Sequence, residues 1–147
     1  AMPAAATVTN VVLELHVPGL TGAGTTATVG LHRVLEEWAE GSLFAMNGAA
    51  NWYERVSNAP WKKVGAGPSG SRAAQTFASF TPAQIDTTYT VAIPNSVVQG
   101  WLDNPSSNLG MALVMTPSID DAVVFRARDH AGNNRPRLKV TALIPKN

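Results

Sequence analysis

The 147 residues have the usual length of a single domain, and an apolar fraction of 45% suffices for a core. With only 14% charged residues but 12 glycines and 10 prolines, the composition disfavours a helical bundle and favours short strands joined by turns. A net charge of +1 excludes a global polycation for nucleic-acid binding, and the absence of cysteine excludes disulfides, thiolate-bound zinc and thiol nucleophiles.

Apolar side chains alternate with polar ones along much of the chain, which predicts β-strands. The alternating segments are residues 11–17, 26–34, 88–93, 111–115, 123–127 and 138–142, with a shorter strand near 61–64. Residues 34–40 are long enough for one helical turn, and 95–102 predict a short helix capped by Asn95 or Ser96. A turn rich in Gly and Asn at 129–134 predicts that the last two strands form a hairpin.

These elements predict an all-β fold, an antiparallel β-sandwich of jelly-roll type with one or two short helical turns. The sequence shows no internal repeat and no linker, so residues 1–147 are expected to form one domain. Residues 1–6 are expected to be an expression remnant or a disordered lead.

Four short motifs occur in order along the chain. They are W-x-E-G at 38–41 with further tryptophans at 52 and 61, V-x-x-W with N-x-G-x-x-L at 98–101 and 108–113, a match to F-x-S-R-E at 125–129, and R-P-x-L-x-V at 135–140. In this order the motifs resemble those of DNRLRE-type β-sandwich domains. The resemblance implies a secreted or surface-attached module beside polysaccharide-degrading enzymes, related to an alginate-binding class of carbohydrate-binding modules.

Members of that family usually begin with strands that precede the first strand found here. The resemblance therefore implies an exposed sheet edge at the N-terminus, which a second copy or a complementing strand would cover. Trp38 and Trp101 occupy framework positions of the family and are expected in the core, where Trp101 shares a helical face with Val97 and Val98.

Positive charge collects at the end of the chain, where residues 124–147 carry six cations against Asp129 alone. If the last two strands pair as a hairpin, four of these cations share one outer face, namely Arg126, Arg128, Arg137 and Lys139. Guanidinium groups suit carboxylates and sulfates, so this face is a candidate site for an acidic polysaccharide. The alternatives are a solvated face, or an ion-pair network of Arg128, Asp129 and Arg135 at the turn.

Aromatic residues of the irregular region 41–75 are the other candidate ligand contacts. Trp52, Tyr53 and Trp61 lie among polar residues, and an aromatic ring can pack on the C–H side of a pyranose. The alternative role for all three is anchoring of the loop.

Catalytic and metal-binding patterns are weak. Glu36, Glu37 and Glu40 lack a partner carboxylate across a recognisable cleft, as glycoside hydrolysis requires. A metal site of Glu14, His16 and His32 and a calcium site at Asp120 and Asp121 are conceivable, but no surrounding pattern supports either, so no cofactor is expected.

The sequence thus predicts a non-catalytic carbohydrate-binding module that recognises a polysaccharide, with no nucleic-acid partner and no membrane insertion. It would belong to a larger secreted enzyme or cell-surface protein. A structural spacer or adhesion module without a sugar ligand is the alternative, and a polysaccharide-degrading enzyme comes third.

Overall fold

The computed structural model describes residues 5–21, 27–40, 49–116 and 122–145. They form an antiparallel β-sandwich, which confirms the predicted fold class. The strands are β1 (Thr7–Val17), β2 (Gly19–Thr21), β3 (Thr28–Arg33), β4 (Glu54–Val56), β5 (Ala59–Pro60), β6 (Ala78–Phe80), β7 (Thr87–Ala92), β8 (Met111–Thr116), β9 (Ala122–Val124) and β10 (Arg137–Leu143). Between β7 and β8 lie the helix α1 (Asn95–Asp103) and a 3-10 turn (Pro105–Ser107).

The first sheet is centred on β1, which pairs with β10 on one side and with β7 on the other. Val11, Leu13 and Leu15 are buried at alternate positions, as the period of two predicts. A bulge between Val8 and Asn10 shifts the register, so that Val8 is also buried although it precedes Val11 by three residues. This irregularity explains why the period of two did not reveal the first four residues of β1.

The second sheet is centred on β3, with β6 and β8 at its sides. Both faces of β3 are buried, because the segment 72–77 covers the face that points away from the core. Gly30 lets this segment approach closely: a Cβ there would lie 3.2 Å from Cγ2 of Thr76 and 3.3 Å from Nε2 of His32.

Helix α1 packs against β1 and contributes Val97, Val98 and Trp101 to the core, which confirms the helix and the buried tryptophan. The predicted side-chain cap is wrong, since no side chain caps the helix and Nδ2 of Asn95 donates instead to the carbonyl of Thr9.

The helix also fixes the start of β1. Oε1 of Gln99 accepts from the amide of Val8 at 2.8 Å, and its Nε2 donates to the carbonyl of Ala6 at 3.3 Å. Ala6 is 2% exposed and so belongs to the packed fold, although it falls within the predicted lead; residues 1–4 lie outside the described part.

The predicted hairpin of the last two strands is wrong. β9 pairs with β2, with Val124 opposite Gly19, and β10 pairs with β1, with Arg137 opposite Glu14. Both strands therefore run in the same direction along one side of the β1–β2 segment, one after the other. Residues 127–136 connect the segment that ends at Arg126, which bonds to His16, with β10, which begins at Arg137.

Two further predictions fail in the irregular region. Residues 34–40 form no helical turn; Val34 makes a β-bridge with Arg72, and the chain after it is extended or bent. The strand expected near 61–64 is instead the β4–β5 hairpin just before it, which turns at Asn58 with a φ of 60°.

The N-terminal strand β1 is not a sheet edge, because it has a neighbour on each side. Among the described residues the outer strands of its sheet are β10 and β7, so a complementing strand or a second copy would have to add there. Among the described residues, no helix is both long and apolar enough to span a membrane.

Candidate functional site

The structure does not assemble the predicted four-cation face. Arg126 and Arg128 follow β9 outside any strand, whereas Arg137 and Lys139 lie in β10. Since the two strands run one after the other instead of side by side, the two pairs of cations do not face each other across a hairpin.

Two of these cations are neutralised by carboxylates. Nζ of Lys139 lies 2.5 Å from Oε1 of Glu14, and Nη1 of Arg128 lies 2.9 Å from Oε2 of Glu40. Arg128 also contacts Asp129 at 3.3 Å, which is part of the ion-pair alternative. These exposed ion pairs offset the charge of two of the four cations.

Arg126 differs from the exposed cations because its Nε is buried. Its backbone amide donates to the carbonyl of His16 at 3.1 Å, which extends the β9 pairing by one step. Among the described residues no acceptor bonds to the buried Nε.

Trp61 is buried, at 8% exposure, and its Nε1 donates to the carbonyl of Asn51 at 2.8 Å. Its ring therefore anchors the loop, which is the alternative that the sequence left open. A ring with so little exposed surface cannot stack on a sugar.

Trp52 and Tyr53 are exposed, at 65% and 68%. They occupy a turn held by Oδ1 of Asn51, which accepts the amides of Tyr53 and Glu54 at 2.8 and 2.9 Å. The ring of Trp52 lies on the backbone of Gly65, where a Cβ would be only 2.5 Å from Cη2. This turn thus presents two aromatic side chains to solvent.

Trp38 is not a core residue, contrary to the expectation from the family framework. It is 44% exposed, and its Nε1 donates to the carbonyl of Leu109 at 2.9 Å. Gly110 lies beside the same edge of the indole with a φ of 87°. The ring is therefore held at its Nε1 edge while much of its surface stays open.

A cleft of about 480 Å³ lies beside this ring and is lined by Glu37, Trp38, Asn108, Leu109 and Gly110. It brings a fixed aromatic ring together with a carboxylate and a side-chain amide. Hydrogen bonds from the amide of Ala39 to the carbonyl of Arg55, and from Nη1 of Arg55 to the carbonyl of Glu37, tie this segment to β4.

One sequence signal pointed to an exposed Trp38. Its neighbours at strand spacing, Glu36 and Glu40, are both charged, so it has no apolar partner two residues away. The bond to Leu109 joins residues 71 positions apart, and no local pattern reveals it.

Glu36 is a buried carboxylate with a structural role. Its Oε2 accepts the amide of Lys62 at 3.0 Å, and its Oε1 lies 3.7 Å from Nε of Arg55. Burial raises the pKa of Glu36, but hydrogen bonds from the Ser71 hydroxyl and the Lys62 amide, with the charges of Lys62 and Arg55, outweigh burial and hold this pKa below its ordinary value. The carboxylate thus stays ionised and bound to its neighbours.

The conceivable metal site of Glu14, His16 and His32 is not formed. His16 lies in β1 and bonds to Thr88, whereas His32 lies in β3 of the other sheet. No cluster of three metal-ligating side chains occurs among the described residues, and Asp120 and Asp121 fall outside them.

Comparisons of the chain with protein-family models, curated proteins and solved structures find no match. The resemblance to DNRLRE-type domains remains a prediction from the motifs.

Proposed function

We propose that the domain is a non-catalytic carbohydrate-binding module whose sugar site is the cleft beside Trp38. The observation that carries this proposal is a half-exposed indole whose N–H is already bonded inside the protein. Such a ring keeps its position without a ligand, so stacking on a sugar costs little side-chain entropy. In this proposal the domain tethers a larger secreted or surface protein to a polysaccharide.

The polar groups of the cleft suit hydroxyl groups. Asn108 offers an amide with both donors and an acceptor, and Glu37 offers a carboxylate acceptor. An aromatic wall with a few polar groups is the usual composition of a small-ligand site, in which the polar groups fix orientation.

The charge of the cleft favours a neutral glycan over an acidic one. Glu37 would repel a uronate, and the four-cation face on which the acidic ligand was predicted does not form. We therefore replace the acidic polysaccharide of the sequence prediction by a neutral, hydroxyl-rich one.

The carboxylates of the cleft favour a binding module over a glycosidase in this proposal. Glycoside hydrolysis uses two carboxyl groups about 5 to 9.5 Å apart across the bond that is cleaved. Among the described residues that line the cleft, Glu37 is the single carboxylate, and Glu36 is bonded to the amide of Lys62.

Affinity electrophoresis on a panel of neutral and acidic polysaccharides, followed by calorimetry on the best ligand, tests this proposal. We expect Trp38→Ala to weaken binding about tenfold or more, equivalent to about 1.4 kcal/mol. Trp52→Ala is the matched control, since it removes an exposed tryptophan outside the cleft, and we expect unchanged affinity.

Retention by no glycan would contradict the proposal and favour the spacer. Loss of binding in Trp52→Ala but not in Trp38→Ala would move the site to the Trp52–Tyr53 turn.

A further inference from the structure

A second cavity, of about 440 Å³, lies between the end of β3, the segment 73–77 and the start of α1. Its lining contains one cation, Arg33, and three neutral polar residues, Gln75, Thr76 and Ser96. Phe77 and Val97 are among its apolar residues. None of its described lining residues belongs to the Trp38 cleft. Because the described lining contains no carboxylate, Arg33 alone gives this cavity a formal charge.

Arg33 is half-buried and lacks an internal acceptor. In the described part of the chain, no carboxylate, carbonyl or hydroxyl bonds to its guanidinium. By contrast, the half-buried Arg55 is bonded to the carbonyl of Glu37 and lies 3.7 Å from Glu36. A guanidinium has five N–H donors. Those of Arg33 are open to water, since they are not among the buried unbonded side-chain atoms of the described residues, so a carboxylate in the cavity can take the place of that water.

The position of Arg33 is fixed by both neighbouring elements. It ends β3, where it pairs with Met111 of β8 and its carbonyl accepts the amide of Ala73 at 2.9 Å. On the other side its Nη2 lies against α1, 3.6 Å from where a Cβ of Gly100 would be. The backbone of Arg33 is thus fixed, and its guanidinium lies between α1 and the cavity.

The surroundings of Arg33 define the ligand. A guanidinium presents paired N–H groups that match the two oxygens of a carboxylate. Phe77 is half-buried and Val97 is buried, so the inner wall suits an apolar body. Gln75 and Ser96 are exposed and lie at the rim, where they can bond to the carboxylate or to solvent. The first turn of α1 contains no acidic side chain that would oppose an anion.

We propose that this cavity binds a small organic acid, with the carboxylate on Arg33 and the apolar body against Phe77 and Val97. This function is separate from glycan binding at Trp38, because the two sites share none of the lining residues that the structure describes.

The assignment is tested by titrating the full chain with sodium benzoate and monitoring the backbone amides by two-dimensional NMR. Benzamide is the matched uncharged compound, and sodium sulfate supplies negative charge without an apolar body. We expect benzoate to shift the amides around Arg33, Gln75 and Ser96, with at least about tenfold higher affinity than either comparison compound.

Variants separate recognition from stability. We expect Arg33→Gln to weaken benzoate binding about tenfold or more, and Arg33→Lys to give an intermediate loss because it keeps the charge without the paired donors. Arg135→Gln is the matched control in another part of the surface and should bind as the wild type does. Thermal melting of each variant checks that it is folded. If Arg33→Gln does not fold, the benzoate affinity of Arg33→Lys tests the role of Arg33.

Three results would overturn the assignment: equal binding of benzoate and benzamide, unchanged affinity in both Arg33 variants, or tighter binding of sulfate than of benzoate. Trp38→Ala should bind benzoate normally, so failure at this cavity is distinguishable from failure of the glycan site.

Discussion

Replacing Glu36 by Gln removes one negative charge from the inside of the irregular region while nearly preserving the shape of the side chain. The carboxylate joins three parts of the chain that are distant in sequence: Arg55 in β4, the amide of Lys62 and the buried Ser71. Its loss should therefore loosen the packing of residues 49–75 against the second sheet.

The magnitude follows from the bonds to the carboxylate. A hydrogen bond to a charged group contributes about 1.5–3 kcal/mol, and a neutral acceptor about half as much. Glu36→Gln keeps one neutral acceptor oxygen, so we expect the free energy of unfolding to fall by about 2 kcal/mol. For a chain of this length that corresponds to a melting point lower by about 4–8 °C. Glu36→Ala should cost more, about 3–5 kcal/mol, because it also leaves the Lys62 amide unbonded.

The same substitution predicts a pH dependence with a definite sign. Because the pKa of Glu36 in the folded state lies below its ordinary value of 4.5, the unfolded state binds the proton more readily. The stability that the carboxylate contributes is fully present above that ordinary value and is lost as the pH falls through the lower, folded-state pKa. The difference between wild type and Glu36→Gln should thus be largest near neutral pH and shrink in acid.

Urea denaturation followed by tryptophan fluorescence, at neutral pH and in a series of acidic buffers, measures both effects. Glu37→Gln is the matched control, since it makes the same change at the adjacent, exposed residue and should leave the unfolding midpoint unchanged. Equal midpoints for the two variants at neutral pH, or a difference that keeps its full size in strong acid, would refute the reasoning.

Three other substitutions test the packing of the sheets and loops. Gly30→Ala should lower the free energy of unfolding by about 1–3 kcal/mol, because its Cβ would crowd Thr76 at 3.2 Å; chemical denaturation measures it. Gly65→Ala combines a φ of 66° with a Cβ 2.5 Å from Trp52, so we expect a loss of about 1 kcal/mol and a changed near-ultraviolet circular dichroism. Trp61→Phe keeps most of the buried ring but deletes its hydrogen bond, which should cost about 1 kcal/mol in a thermal melt.

For each of these three substitutions, one result would contradict the expected effect. Wild-type stability of Gly30→Ala would mean that the segment 72–77 can move away from β3 at little cost. An unchanged dichroism signal in Gly65→Ala would show that the ring of Trp52 does not rest on that backbone. Trp61→Phe as stable as the wild type would remove the anchoring role of the indole N–H.

The elements that the sequence predicted well have strong local patterns. β1 alternates through Val11, Leu13 and Leu15, and α1 places Val97, Val98 and Trp101 on one face, so periodicity suffices for both. The hairpin failed because alternation predicts a strand without naming its partner. The segments before and after residues 127–136 both pair with the chain of β1 and β2, which lies more than a hundred residues earlier.

The candidate site was less predictable because its contacts are distant in sequence. Trp38 was expected in the core from a motif, whereas its exposure depends on a bond to the carbonyl of Leu109. Trp61 and Trp52 belong to the same irregular region, yet one is buried and the other exposed. The difference depends on whether the ring reaches Asn51 or rests on Gly65, which composition does not reveal.

The end-to-end arrangement of β9 and β10 makes residues 127–136 a natural place for variation in chain length. Each strand takes its register from β1 or β2, so neither depends on the number of residues between them. Lengthening this segment adds a loop-closure cost that grows only slowly, about 0.6 kcal/mol for each doubling. A foreign peptide or a second binding loop can therefore be inserted there while both strands keep their pairing.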